Sequence, residues 1–254
     1  MLRHVTLAIA DCLKQKHLNR MKRKTIFYGV LVFVCCLCCI QTAAQDKGFS
    51  LAMKHGEKAS YDIYFKWGLI MPRAGDATFS FDRERSVPNA SSRYRLQFKT
   101  AKFFDNFFKM RDTLNTYYND YNELIYSLKS TDEGGYYSVD ELTFMHGGEN
   151  TRIHSLRYAL SRVKIDTTLT AVGVVTDLLG ASDYLRSVDR TKLQSGDTYP
   201  LTVAIGRDLV KIQFTYRNQS IVERGNVKYN TRYFVIDIYD EAFESTKTSA
   251  EVWM

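Results

Sequence analysis

Two-residue alternation of apolar and polar side chains runs through most of this 254-residue chain, and it limits the fold more than any other feature. Successive side chains of an extended strand point to opposite faces, so alternation of this kind means strands with one face buried. In Tyr61-Asp62-Ile63-Tyr64-Phe65-Lys66-Trp67 the odd positions are apolar or aromatic. Ala77, Phe79 and Phe81 alternate with Asp76, Thr78, Ser80 and Asp82, and Tyr94, Leu96 and Phe98 with Arg93, Arg95, Gln97 and Lys99. Val210, Ile212, Phe214 and Tyr216, then Phe234, Ile236 and Ile238, repeat the pattern. Segments 122–130, 135–146, 151–165 and 198–206 also read as strands. Turn signals such as Glu133-Gly134-Gly135 and Gly147-Gly148 predict an antiparallel meander. Within 151–165 the phase slips from even (Leu156, Tyr158, Leu160) to odd (Val163, Ile165), which predicts a bulge near Ser161.

Two segments break the alternation. Phe103, Phe104, Phe107 and Phe108 form two pairs at i, i+4 within Lys102–Met110, the spacing of one or two helical turns. From Val174 to Val188, the residues Val175, Leu178, Leu179, Ser182 and Leu185 share one helical face, and Asp177 suits the positive end of the helix dipole. A sheet of about ten strands must curl, split or close. The predicted fold class is therefore mainly β: a long curled antiparallel sheet, a β-roll or spiral, packed around one α-helix, plus a short Phe-rich helical turn.

The chain opens differently. Lys22-Arg23-Lys24 precedes an apolar run from Ile26 to Ile40, which ends in Gln41-Thr42-Ala43-Ala44. Basic, apolar and small-residue zones in that order mark a secretory signal peptide over 21–44, with cleavage after Ala44 leaving Gln45 first. Residues 1–20 read as an upstream extension from a wrongly placed start, with Met21 the natural initiator. Residues 45–254 form a single β-rich domain. The expected location is the periplasm; the alternative is an uncleaved N-terminal inner-membrane anchor, which the run is short to provide.

All five cysteines, at 12, 35, 36, 38 and 39, lie ahead of the domain, so no disulfide partner is available to it. Of the net charge of +7, +6 lies ahead of residue 45. Residues 1–44 hold seven Lys/Arg and one acid, leaving 28 basic and 27 acidic residues beyond. No nucleic-acid footprint survives that division. A domain of this size buries a core without disulfides.

Several segments together resemble an exported bacterial family, domain of unknown function 3108 (DUF3108). They are Gly56-Glu57-Lys58-Ala59-Ser60-Tyr61, Ala74-Gly75-Asp76-Ala77, and Phe103-Phe104-Asp105-Asn106-Phe107-Phe108-Lys109-Met110-Arg111-Asp112. Glu133-Gly134-Gly135-Tyr136 and Tyr184-Leu185-Arg186-Ser187-Val188-Asp189 complete the set. The resemblance covers roughly residues 54–254 and implies a β-spiral-like envelope protein with no established activity. It further implies that a final hairpin would follow Ala250-Glu251-Val252-Trp253-Met254, so the domain is expected to lack its last hairpin.

Candidate chemistry is sparse. Two histidines, His146 and His154, flank Gly147-Gly148 and could face each other across a hairpin. With His55 they are the only histidines after the leader, and without cysteine they fall short of a metal site. Arg111-Asp112 suits a ligand anion or, more simply, a helix-to-strand corner; Arg186 and Asp189 suit a helix-end ion pair. Asp140 and Glu141, adjacent on a strand, point to opposite faces. The Phe cluster and Tyr-rich strands serve as core or as the lining of an amphiphile cleft. No residue is assigned as catalytic, cofactor-binding or metal-binding, and no cofactor is expected. The expected function is a non-enzymatic binding or envelope-integrity factor, with a lipid or envelope component as its partner and no nucleic acid. The alternative is an envelope-polymer hydrolase using carboxylates brought together by the fold.

Overall fold

The alternating segments do form strands. The structure, a computed structural model, describes residues 52–64, 72–240 and 243–254. The expected signal peptide, the upstream extension and positions 65–67 of the first predicted strand lie outside the described residues. Thirteen strands occur among the described residues. They are β1 (Glu57–Tyr64), β2 (Arg73–Arg83), β3 (Ser92–Thr100), β4 (Arg111–Tyr118), β5 (Leu124–Glu133), β6 (Tyr136–Gly147) and β7 (Asn150–Ala159). Then follow β8 (Arg162–Val172), β9 (Val175–Thr176), β10 (Thr198–Ile205), β11 (Asp208–Arg224), β12 (Val227–Asp240) and β13 (Phe243–Trp253). Two helices accompany them, α1 (Lys102–Asp105) and α2 (Gly180–Ser187).

The fold is mainly β and built on a large antiparallel sheet. Strands β1 to β8 pair in sequence order in one eight-stranded sheet; β13-β12-β11-β10-β9 form a second, five-stranded one. Each pairing is antiparallel except β9 with β10, which is parallel through Val175 opposite Thr202 and Thr176 opposite Val203.

In β2, β3, β11 and β12 the inward faces are those set by the alternation, whereas Tyr61 of β1 and Tyr158 of β7 are exposed and the buried positions of β7 are the odd ones. Phe81, Tyr94, Leu114, Leu142, Phe144 and Ile153 form the core of the larger sheet, with Phe79 and Leu96 packed against it. Leu201, Val203, Phe214, Tyr216 and Phe234 form that of the smaller. Helix α2 serves both: Leu179, at its N-terminal boundary, joins the first cluster, whereas Ala181 and Leu185 join the second.

Four predicted details are corrected. The 151–165 segment is two strands, not one bulged strand. Leu160 (φ 50°) and Ser161 (φ 60°) make a two-residue hairpin turn between β7 and β8, the register shifts between Arg157 and Tyr158, and the buried positions are odd on both strands (Thr151, Ile153, Ser155 and Ala159, then Ile165 and Ala171). The long helix shortens to Gly180–Ser187, because Val175 and Thr176 are claimed by pairing with β10. The Phe-rich helix shrinks to Lys102–Asp105, and its rings are not core: Phe103, Phe107 and Phe108 are 65%, 74% and 50% exposed. Strand β4 was not predicted. From Leu114 to Tyr118 every residue is buried, polar ones included, so both faces are covered and alternation vanishes.

Candidate functional site

At one end of the larger sheet, the β2–β3 and β4–β5 connections meet the segment that leads into β1. That segment, Ala52 to Gly56, is tied down at four points. Ala52 donates its amide to Asp183 Oδ1 (3.3 Å) and Lys54 to Glu57 Oε2 (3.3 Å). Glu57 N–H reaches Lys54 O (2.9 Å), and Gly56 N–H reaches Phe81 O (2.8 Å). Gly56 has φ +83°, a conformation that glycine reaches without the Cβ penalty. The result lays Met53 into the core and stacks the His55 ring on Phe81, centroids 5.0 Å apart.

Between these pieces lies a cleft of about 480 Å³, within the usual range for small-molecule sites. Met53 and Phe81 contribute its apolar surface, and Ser91, Ser92, Asp120 and Asn122 its uncharged and acidic polar groups. Arg83 and Arg85 supply positive charge. The two-residue period that buries Phe81 brings Arg83 to the same strand face. Glu84, between the arginines, is engaged elsewhere: it binds Arg93 Nη1 (2.7 Å) and accepts the Arg85 and Ser86 amides (3.0 Å each). The Ser86 contacts, ahead of the others, hold its carboxyl below the usual range. Among the described residues, neither Arg83 nor Arg85 has an acidic ion-pair partner. The opposite wall is shaped by Asn119, whose Oδ1 accepts the Tyr121 and Glu123 amides (2.9 Å each). The lining is mostly polar, and the two guanidiniums are the groups in it suited to an anion.

Beneath it lies a sealed polar cluster. Asp177 Oδ2 accepts hydroxyls from Thr116 and Ser127 (2.6 Å each), and Oδ1 accepts the Gly180 amide (2.7 Å). Asp177 therefore caps α2 while anchoring it to β4 and β5. Asp183, fully buried, has its carboxyl raised to about 7 by burial, against the opposing pull of the Ala52 amide and Arg186. Its Oδ2 has no hydrogen-bond partner among the described residues.

The residues singled out in the sequence lie elsewhere. His146 is opposite Thr151 and not His154; its ring contacts Thr151 Oγ1 (3.2 Å) and Leu124 O (2.7 Å). His154 contacts Asp166 (2.9 Å). Among the described residues, no three metal-ligating side chains come together. Arg111 grips Asp105, not the neighbouring Asp112, and also donates to Met110 O (2.6 Å), so it does pin the corner. Asp112 is buried, and that burial, then the charge of Glu133, raises its carboxyl. Arg186 pairs with Glu57, whereas Asp189 binds Thr191 and Lys192, correcting the expected Arg186–Asp189 pair. Asp140 pairs with Arg157 across β6–β7, and Glu141 lies by Tyr126 of β5, consistent with opposite faces. The cleft arginines escaped sequence reading. Their only signal is that Arg83, the last residue of β2, and Arg85 beyond it continue the odd positions held by Ala77, Phe79 and Phe81.

Fold and site together define a mainly β, two-sheet domain with one shared helix and a cationic end cleft. The family model "Protein of unknown function (DUF3108)" matches residues 60–254, and the chain belongs to that family. No curated protein and no solved structure matches it.

Proposed function

We infer that this is an exported envelope protein that holds an anionic amphiphile in the end cleft and catalyses no reaction. In this reading the two sheets roll about α2 and act as a rigid frame for that cleft. The carrying observation is the pair of arginines, without acidic ion-pair partners among the described residues, beside Met53 and Phe81. The leader over 21–44 supports export, and the near-balanced charge beyond it fits a protein that selects its ligand locally. Carboxylate-pair hydrolysis needs two acids at an open groove. Asp177 and Asp183, which burial raises, are both sealed instead.

Titration with dodecyl phosphate and with dodecyltrimethylammonium, below their micelle concentrations, tests the reading. Dodecyl phosphate is expected to bind and raise the melting temperature. Arg83→Ala with Arg85→Ala should weaken it by about tenfold or more, since charge-assisted hydrogen bonds are lost. Equal binding of both amphiphiles, or indifference to the double substitution, overturns it.

A further inference from the structure

We propose that the end of the β3–β4 connection is a membrane-docking tip, which inserts phenylalanines into the interface of an anionic lipid bilayer. Phe103, Phe107 and Phe108 are 65%, 74% and 50% exposed within six consecutive positions. Isolated exposed apolar residues need no explanation, but a cluster of large ones marks an interaction surface. The cluster is held together: Phe103 packs on Phe104 and Phe107 with centroids 5.6 and 5.4 Å apart.

The backbone beneath is rigid. Arg111 Nη2 donates to Asp105 Oδ2 (2.6 Å) and Nη1 to Oδ1 (3.0 Å), while Thr100 also donates to Asp105. Met110 N–H closes the loop on Thr100 Oγ1 (3.0 Å). The β5–β6 turn adjoins it. Gly134 donates to Lys109 O (2.7 Å), and a Cβ on Gly134 would stand 3.3 Å from the Phe108 ring. That turn adds exposed Tyr136 and Tyr137, one on each face of its hairpin. The aromatics thus stand at the ends of two adjoining hairpins, preorganised rather than collapsed.

Charge selects the occupant. Asp105 is neutralised by Arg111, Asp132 of the neighbouring hairpin interacts with the same guanidinium, and Glu133, bridged to Met110, is the remaining acid beside the tip. Lys102 and Lys109 flank the phenylalanines, exposed, and without an ion-pair partner among the described residues. Aromatic rings below a basic collar match the interface of an anionic bilayer: rings reach the acyl boundary while lysines extend to the headgroups.

The test uses the processed protein from its own host, with the same chain form in every arm. The probe is vesicles of phosphatidylglycerol and phosphatidylcholine. Phe107→Trp places a reporter at the tip. Its emission, over that of the parent's own tryptophans, is expected to be quenched by brominated acyl chains. The triple substitution of Phe103, Phe107 and Phe108 to Ser should lower vesicle binding by about tenfold or more, with an unchanged melting temperature because the rings are exposed. Lys102→Glu with Lys109→Glu should weaken binding to the anionic vesicles and leave that to pure phosphatidylcholine little changed. A reporter indole that stays unquenched, or vesicle binding indifferent to the triple substitution, overturns the proposal. So does self-association that the triple substitution abolishes without any vesicle binding, which would make a second copy the occupant.

Discussion

Asp177 and Asp183 lie on either side of the start of helix α2, in the same buried surroundings, but carry different burdens. Asp177 satisfies three donors, joining a helix cap to two hydroxyls on neighbouring strands. Asp177→Ala removes the cap and orphans both hydroxyls, an expected loss of about 3 kcal/mol by urea unfolding. Burial raises both carboxyls, and Asp183 holds its proton more tightly folded than unfolded, raised to about 7 against an ordinary value near 4. Its contribution is fully present below about pH 4 and is lost as pH rises towards 7, because only the folded state keeps the proton in that window. Asp183→Asn, which cannot ionise, should remove that slope. The variant's urea midpoint should gain on wild type between pH 4 and 7 and level off above; a constant difference contradicts the assignment. At Gly180 a Cβ would meet Thr176 Oγ1 at 2.0 Å, so Gly180→Ala should cost about 2–3 kcal/mol or shift the helix start.

At the scale of elements, the β7–β8 turn places Leu160 and Ser161 at positive φ, where residues with a Cβ are strained. Leu160 is largely exposed, so little packing is lost on replacing it. Leu160→Asn with Ser161→Gly should raise stability by about 1 kcal/mol, read as a higher melting midpoint. The same turn shows what sequence reading can see. Leu156, Tyr158 and Leu160 read as an inward row, but the buried positions of β7 are the odd ones, and without Asn-Gly the reversal left no compositional mark. Strands β2, β3, β11 and β12 were legible because each has one covered face. Strand β4 was not, because burial on both faces mixed Asn115 and Thr116 with Leu114 and Tyr117. Helix α2 was legible as a helix, but its length depended on a long-range pairing of Val175 and Thr176 that no local pattern encodes. The Phe-rich turn was found for its spacing, yet spacing alone does not separate core from surface.

At the scale of the whole molecule, the antiparallel plan was legible and the division into two sheets was not. Alternation defines faces; it does not say where a row of strands breaks. The cleft was invisible for a related reason. It gathers Met53, Arg83, Ser92 and Asn122 from four separate stretches, and only the folded chain makes them neighbours. What the molecule then does rests on two linked statements: the leader is removed on export, and an anionic amphiphile occupies the cleft. Native mass spectrometry of the protein from its own envelope fraction reads both at once. The account predicts the mass of a chain beginning at Gln45, carrying an anionic adduct that is absent when Arg83 and Arg85 are replaced by alanine. A chain that retains residues 21–44, or a processed chain that flies bare, contradicts it.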